Sequence, residues 1–404
     1  MKIRLATLNV WALPEPIGRD VQPRIDAIGA RLPDLGLDVA AFQEVWTRDA
    51  ASRLLRAGKR AGLVHGWYGD GTFGKGGLLV LSRLPIEDVH FEAYSVTGAP
   101  EKAAANLEYL SGKGFATVRL TTPSGPLLLV NTHLHARYSS SAPHRHAPQR
   151  TGQAIQLATR FADSREPIIS LGDFNFREGE TDYRVLTDIL GLEDVAAALD
   201  HRQNTTLHSN PYRNPAAADR RKDFVFVRNG VNHALLPKSI TRRFDDTFAV
   251  DGAPGSFSNH AGLVAEIELV ELASAAVNHA PLPLDPDPDV FEAAAQMLAK
   301  GERLARARQD GGRAASGIGL GVAALATLGA LPKRMSRRRL LRAGLAAGAL
   351  AALAPSLGFS IASEVLVPDE IRAFRDAARQ LAALAPHTLA PDAPLPSVAA
   401  GPPA

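Results

Sequence analysis

The 404-residue chain contains no cysteine. That excludes a disulfide framework and any thiolate metal site, so a bound metal must be held by oxygen or imidazole ligands. No charge sign dominates either: 45 Lys and Arg against 42 Asp and Glu leave a formal net charge of +3, too little by itself to indicate a nucleic-acid partner. The N-terminus, MKIRLATLNVWALP, lacks the long apolar run and small-residue cleavage site of a secretory signal, and none is expected there. FGKGG at 73–77 lacks the spacing of a phosphate-cradling P-loop and reads as a turn before a strand. Apolar residues, by contrast, make up 46% of the chain, enough to bury a large core in one domain or two.

The first 270 residues alternate short apolar runs with helical patterns. Strands are predicted at 3–9, 38–43, 77–82, 115–121, 126–132, 167–172, 223–228 and 262–270, and helices at 20–33, 47–61, 146–163 and 179–190. Several strands follow one another without an intervening helix. That argues for an α/β (α+β) fold of two mixed β-sheets packed face to face and flanked by helices, rather than a doubly wound parallel sheet.

Polar residues at the strand ends carry the chemical signal. Asn9 closes the first strand, Glu44 ends AAFQE, His133 ends LLLVNTH, and Asp173 and Asn175 end IISLGDFN. Asp223 opens DFVFV, and Asn259 and His260 precede GLVAEIEL. One such residue is most often a turn or cap. Together they form a set suited to phosphate-ester hydrolysis: Glu44 is a hard oxygen ligand for Mg2+, and Asp173 can take a proton from water. Asn175 can donate to a phosphoryl oxygen, and a histidine pair can stabilise charge and protonate a leaving group.

TLNVW, QEVW, GLLVLSRLPI, NTHLHA, GDFN, KDFVFV and SNHAG, in this order over roughly residues 1–270, resemble the motifs of the endonuclease/exonuclease/phosphatase superfamily. LNVWALP, QEVW, the LSGKGFATVRL segment around Lys113, and THLHARY followed by QRTGQAIQLATRF are similar to the neutral sphingomyelinase branch. The resemblance implies a four-layer α/β sandwich, dependence on Mg2+ or Mn2+, and cleavage of sphingomyelin to ceramide and phosphocholine. It makes Glu44 the main metal ligand, with Asn9 and Asn259 beside the metal. His260, oriented by Asp223, acts on the scissile phosphate or as the base. Asp173 aligns or deprotonates water, Asn175 binds the transition-state oxygen, and His133 assists the phosphate or the leaving group. Lys113 and His135 are candidates for substrate binding. Where the family usually has Ser-Asp-His, this chain has Ser258-Asn259-His260, and loss of one negative charge near a metal weakens its binding. His135, His144 and His146 belong to a Ser-, Pro- and His-rich stretch that could contact a headgroup but is expected to be a solvated connection.

The catalytic domain is expected over 1–272, a linker over 273–289, a helical region over 290–384 and a disordered tail over 385–404. Within the helical region, 314–332 and 343–363 are uncharged and near the length that crosses a bilayer, although rich in Ala and Gly. Between them, Lys333 to Arg342 holds six basic and no acidic residues, suited to anionic headgroups. The expected partners are therefore a phospholipid or sphingolipid substrate and a membrane, without nucleic acid. Another phosphoester (DNA, an inositol phosphate or another phospholipid) is the alternative substrate, and a catalytically weak membrane scaffold is the alternative of another kind.

Overall fold

The computed structural model describes residues 1–69, 76–98, 111–137, 146–272, 287–330, 353, 356–358 and 360–385. In chain order the first elements are β1 (Lys2–Ala12), α1 (Val21–Arg31), β2 (Val39–Val45), α2 (Arg48–Arg60), β3 (His65–Tyr68), β4 (Leu79–Ser82), β5 (Ile86–Ala93), β6 (Gly114–Thr122) and β7 (Gly125–His133). Then come α3 (Ala147–Phe161), β8 (Ile168–Asp173), α4 (Thr181–Arg184, continued by a π-helical turn, Val185–Ile189), β9 (Glu193–Asp194), α5 (Val195–Ala198) and β10 (Asp223–Arg228). The chain continues with β11 (His233–Arg243), β12 (Thr247–Val250), β13 (Ala253–Ser256), β14 (Gly262–Glu271), α6 (Pro288–Ala330) and α7 (Val367–Leu384).

The central strands read as unbroken apolar runs because both of their faces are covered. Leu127 and Leu129 of β7 face the space between two sheets, together with Ile3 and Leu5 of β1, Val39 and Ala41 of β2, Ile169 and Leu171 of β8, and Val225 and Val227 of β10. The intervening residues Leu128, Val130, Ile168, Phe224 and Phe226 face outward into a cluster shared with α3, α6 and α7. On the other sheet, Ala6, Leu8, Ala40 and Phe42 face α1 and α2. Period-two alternation thus produces helix, sheet, sheet and helix layers. The sheets have strand orders β11-β14-β1-β2-β4-β3 and β5-β6-β7-β8-β10-β9. Both are mixed, since β1–β2 and β7–β8 are parallel pairs and their other neighbours antiparallel.

All eight predicted strands are present within a few residues. Unpredicted are β3, β5, β9, β11 and the β12–β13 hairpin. The edge strand β5, IEDVHFEA, carries charges along its length, and β11, on the opposite edge of the other sheet, carries Pro237 at a register shift. Charge and proline are what edge strands use to block further pairing, and both hide a strand from an apolar pattern.

The helical region expected from residue 290 begins with α6. Val290, Phe291, Ala294 and Leu298 of α6 and Phe374, Ala377 and Leu381 of α7 pack with Ile155 and Phe161 of α3. The helical region is therefore packed against the sandwich at its start. Residues 314–330 continue α6, and no helix among the described residues is long and apolar enough to cross a membrane. The expected span at 314–332 is thus not supported over its described part, because Ala and Gly keep its hydropathy low. Most of the second apolar segment, 343–352 included, lies outside the described residues, as do the basic run 333–342, the linker over 273–286 and the tail from 386.

Alternation also delivers the polar strand ends. Continuing past Ile3 and Leu5 on the same face gives Thr7 and Asn9; past Leu127 and Leu129 it gives Asn131 and His133; past Ile169 and Leu171 it gives Asp173. β7 and β8 run parallel and pair His133 with Asp173, whereas β10 runs antiparallel and pairs its first residue, Asp223, with the same Asp173. The strands approach closely here because Gly172 has a φ of +143°, and a Cβ on it would lie 1.9 Å from the Thr132 carbonyl oxygen. Gly172→Ala is expected to destabilise the fold by roughly 3 kcal/mol, combining unfavourable backbone and overpacking costs. Guanidinium unfolding checks this, and an unchanged midpoint would show that β7 and β8 separate at little cost.

Candidate active site

Asn9 stands where the two sheets meet. Its Nδ2 donates to Glu44 Oε1 at 2.8 Å and to Asp173 Oδ2 at 3.0 Å, so one amide spaces a carboxylate of each sheet. The amide orientation is set locally: Asn9 Oδ1 accepts from the backbone N–H of Trp11 at 3.0 Å. Asn9 therefore lies between the two carboxylates as a hydrogen-bond donor. Glu44 leaves the strand alternation through a left-handed backbone, φ +58°, and Trp11 and Asn175 share that conformation. Non-glycine residues adopt it at a cost of about 1–3 kcal/mol, which clusters at functional sites.

Two histidines approach Asp173 from opposite sides. His133 Nε2 is 3.4 Å from Asp173 Oδ2 and 3.9 Å from Glu44 Oε1. His260 Nε2 is 3.9 Å from Asp173 Oδ2, and its Nδ1 is 2.8 Å from Asp223 Oδ2. Asp173 and both histidines are buried, and Asp223 is fully so. Burial lowers the His133 pKa well below its ordinary value, with Lys113 and His260 adding to the effect. For His260 burial acts in the same direction, but Asp223 and Asp173 outweigh it and raise the pKa above 6.5. Burial raises the Asp173 pKa; His260 opposes this and Asp223 adds to it. The site therefore pairs an imidazole that stays neutral with one that favours the proton.

The remaining expected residues fall in different places. Lys113 reaches the centre: its Nζ is 2.9 Å from His133 Nε2 and donates to the Leu134 carbonyl at 3.1 Å. Asn175 is buried beside Asp173, which accepts its backbone N–H at 3.2 Å. Its Nδ2 is turned to the Leu134 carbonyl at 3.4 Å, while its Oδ1 has no hydrogen-bond partner. Asn259 is half-buried, with its Oδ1 3.4 Å from Ser258 Oγ. His135 is fully buried and its ring stacks on that of His146 at 4.6 Å between centroids. It is thus part of a packed histidine pair instead of the solvated connection expected there, and it belongs to neither metal-capable group described below. His144 lies outside the described residues.

Several supporting residues escaped the sequence reading. Gln43 Nε2 donates to Thr7 Oγ1 at 3.0 Å and to Asn131 Oδ1 at 2.7 Å, forming a buried polar tier beneath the site that joins the two sheets. Strand alternation was the signal, since Thr7, Gln43 and Asn131 each sit two positions, or one beyond a kink, before a site residue. Arg24, fully buried, donates to the carbonyls of Val10 and Trp11 at 2.7 and 2.8 Å and fixes the end of β1. Its burial pushes its pKa down to about 10. Ser258 Oγ donates to the Asn9 carbonyl at 2.6 Å and accepts the His260 N–H at 3.2 Å. Lys222 is partly desolvated, which lowers its pKa, and its charge interacts with Asp173, Asp223 and Glu44. Nothing in one-dimensional sequence separates Arg24 or Lys222 from surface cations.

Two groups of described residues could hold a metal ion: Glu44, His133 and Asp173, and Asp173, Asp223 and His260, with ligand atoms in each within 4.8 Å of one another. His260 Nδ1 is engaged by Asp223 and His133 Nε2 by Lys113. The carboxylates of Glu44 and Asp173 are therefore the best-matched donors, and carboxylate oxygens suit hard divalent cations.

The opposing effects on His260 are separable. Replacing Asp223 by Asn leaves burial to dominate, so the His260 pKa should fall; NMR titration of the ring would read this. In the native protein, the raised pKa makes a contribution to stability that is complete below about pH 6.5 and is lost as pH rises through the folded value. A His260 titration unchanged in Asp223→Asn would overturn this account.

The sequence profile of the endonuclease/exonuclease/phosphatase family matches residues 6–258, a range containing every strand-end residue described above except Asn259 and His260, which follow directly. A Drosophila melanogaster protein named provisionally as a neutral sphingomyelinase is 32% identical over 282 residues, covering 67% of this chain and 62% of that protein. The inositol phosphosphingolipids phospholipase C of Saccharomyces cerevisiae is 26% identical over 226 residues, covering 50% of this chain and 47% of that protein. The chain thus spans less than two thirds of the length of either relative. Among solved structures, beta toxin from Staphylococcus aureus aligns with a TM-score of 0.51 at 18% identity, covering 65% of this chain and 99% of that one. SmcL aligns with a TM-score of 0.51 at 21% identity, covering 66% and 99%. These two likenesses establish the shared sandwich. With the profile match spanning most of the sandwich and its site, the chain belongs to the endonuclease/exonuclease/phosphatase family.

Proposed function

We propose that the chain is a divalent-cation-dependent phosphodiesterase that hydrolyses sphingomyelin or a related sphingolipid to ceramide and a phosphorylated headgroup. The observation that carries this reading is the convergence of Glu44, His133, Asp173 and the His260–Asp223 pair within a few ångströms at one end of the sandwich. The names of the similar proteins favour a sphingolipid over other phosphoesters.

Glu44 and Asp173 would hold the cation, Mg2+ or Mn2+, which supplies positive charge to the phosphoryl oxygens. Asp173 aligns the attacking water or takes its proton. His260, whose hold on a proton Asp223 strengthens, is placed to stabilise charge on the phosphate, while Lys222 and Asn175 can donate to phosphoryl oxygens. His133, neutral and fixed by Lys113, bounds the opposite side. No side chain needs to become covalently attached to phosphorus.

The second reading, an inositol phosphosphingolipid substrate, is favoured by the name of the Saccharomyces cerevisiae relative. A panel of sphingomyelin, inositol phosphosphingolipid, phosphatidylcholine and plasmid DNA separates the substrates. Release of the phosphorylated headgroup with Mg2+, loss with EDTA, and a fall of at least 100-fold in Glu44→Ala and His260→Ala are expected. Cleavage of DNA but of no lipid would sink the reading, and absence of all turnover would favour a scaffold. Asn259→Asp, restoring the family's usual charge, is expected to lower the Mg2+ concentration needed for half-maximal activity.

We place the protein at a membrane surface. The support is the basic run from Lys333 to Arg342 in the sequence and the exposed apolar residues Ile318 and Leu325 near the end of the described α6, 70% and 71% accessible. Co-sedimentation with vesicles containing anionic lipid, weakened when Arg337, Arg338 and Arg339 are changed to Gln, is the expected result. Equal sedimentation of the variant would remove the basic run from the account.

A further inference from the structure

Beside the reaction centre lies a second concave feature that the chemistry above does not use. A cavity of about 390 Å³ is lined by Arg177, Glu178, Arg202, Arg220 and Arg221, among others, with Asp219 on its wall. It is tied to the active strands by backbone: Arg177 follows Asn175 by two residues, and the Lys222 carbonyl next to Arg221 accepts the N–H groups of Phe174 and Asn175 at 2.9 and 3.3 Å. A group bound here would thus sit one strand end away from Asp173.

The walls of the cavity are fixed. Arg221 stacks over the Phe224 ring with its guanidinium carbon 4.1 Å from the centroid, and it pairs with buried Asp194. Glu178 is shared between Arg202 at 2.9 Å and Arg221 at 3.5 Å, and Asp219 holds His208 at 2.9 Å. These carboxylates are already engaged. Two cations remain on the cavity without one: among the described residues, neither Arg177 nor Arg220 forms an ion pair. The Arg220 Nη1 is buried with no hydrogen-bond partner, and so is the Nη1 of nearby Arg213. Arg177 and Arg220 thus face the cavity without a counter-charge, which a bound anion would supply.

The arginines also repel one another. Arg220 is lowered from its ordinary pKa by desolvation and by Arg177 and Arg137, and Arg213 by desolvation, with Arg220 adding to it. Arg213 in turn acts on Lys222, whose charge interacts with the site carboxylates. A line of positive charge therefore runs from Lys222 through Arg213 to Arg220 and Arg177. Planar guanidinium groups match the oxygen pairs of a phosphate, and a cavity of this volume admits such a group.

We propose that this cavity is an anion subsite that binds a phosphate group between Arg177 and Arg220, separate from the phosphoryl group being cleaved. The phosphate belongs either to the distal part of a lipid headgroup or to free phosphate in solution. The subsite itself does not depend on the phosphodiesterase reading; only its assignment to a substrate headgroup rests on it. A headgroup bearing a further anion would gain from this cluster, whereas a choline cation would not.

The first experiment titrates inorganic phosphate into the full-length protein by calorimetry, without divalent cation and at low ionic strength. Binding should weaken at least tenfold in the double variant Arg177→Gln/Arg220→Gln, survive in Glu44→Gln, and decline with added salt. The variant Arg220→Lys, which keeps the charge but not the guanidinium fork, should bind more weakly than the native protein and more tightly than the double variant, and guards against a folding defect. Phosphate binding that is absent, indifferent to the arginines or lost in Glu44→Gln would overturn the proposal, whatever the outcome of the activity assays. A second arm identifies the source by comparing KM for sphingolipids with phosphorylated and choline headgroups. A rise of at least tenfold for the phosphorylated headgroup alone in the double variant assigns the subsite to the headgroup. Unchanged KM values alongside arginine-dependent phosphate binding assign it to free phosphate.

Discussion

The arrangement depends on keeping charge inside the protein. Asp173 and Asp223 are almost or wholly removed from solvent at adjacent strand positions, and isolating even one carboxylate from water costs several kcal/mol. The structure answers with groups of complementary charge and with donors: the Asn9 amide, the His260 ring on Asp223, and the charge of Lys222. Each of these is held in turn. Trp11 N–H turns Asn9, Ser258 ties the backbone of Asn9 to that of His260, and Arg24 locks the carbonyls at the end of β1. Removing one member leaves another buried group unmatched, so the site is a connected network.

The same constraint explains where the polar network ends. Beneath Asn9 and His133, the tier of Thr7, Gln43 and Asn131 satisfies most of its donors internally, and immediately below it both sheets turn apolar with Ile3, Leu5, Leu127 and Leu129. The strands thus grade from a dry core to a polar rim along one face. Rigid strands fix the charged groups better than loops would, and the left-handed residues Trp11, Glu44 and Asn175 bend the chain out of the ladder where the chemistry begins. The helices add support from outside: α6 and α7 cover the outer aromatic cluster that contains Phe174, Phe176 and Phe224, neighbours in sequence of Asp173, Asn175 and Asp223.

Much of this was legible in one dimension because it follows from period two. An apolar run covered on both faces announces a central strand, and a polar residue at or just before either end of it announces the rim of a sandwich; Asn9, Glu44, His133, Asp173, Asp223 and His260 were all found that way. Lys113 was found as a glycine-flanked lysine, and its contact with His133 was not. The edge strands β5 and β11 were missed because charge and proline, which protect an edge, also erase the apolar pattern.

The sequence by itself determined the two-sheet class and the identity of the groups at the strand ends, since alternation is a local property that survives without knowledge of partners. Tertiary structure alone decided what those groups do to one another. Only the parallel pairing of β7 with β8 and the antiparallel pairing of β10 bring His133, Asp173 and Asp223 into one row, and only the contacts there move the two imidazoles apart, burial lowering the His133 pKa while Asp223 and Asp173 outweigh burial and raise that of His260. The donor role of Asn9, the charge interaction of Lys222 with the site carboxylates and the unpaired Arg220 follow likewise from contacts between segments far apart in the chain. Hydrogen-bond direction and desolvation are set by such contacts, and residue order does not encode them locally.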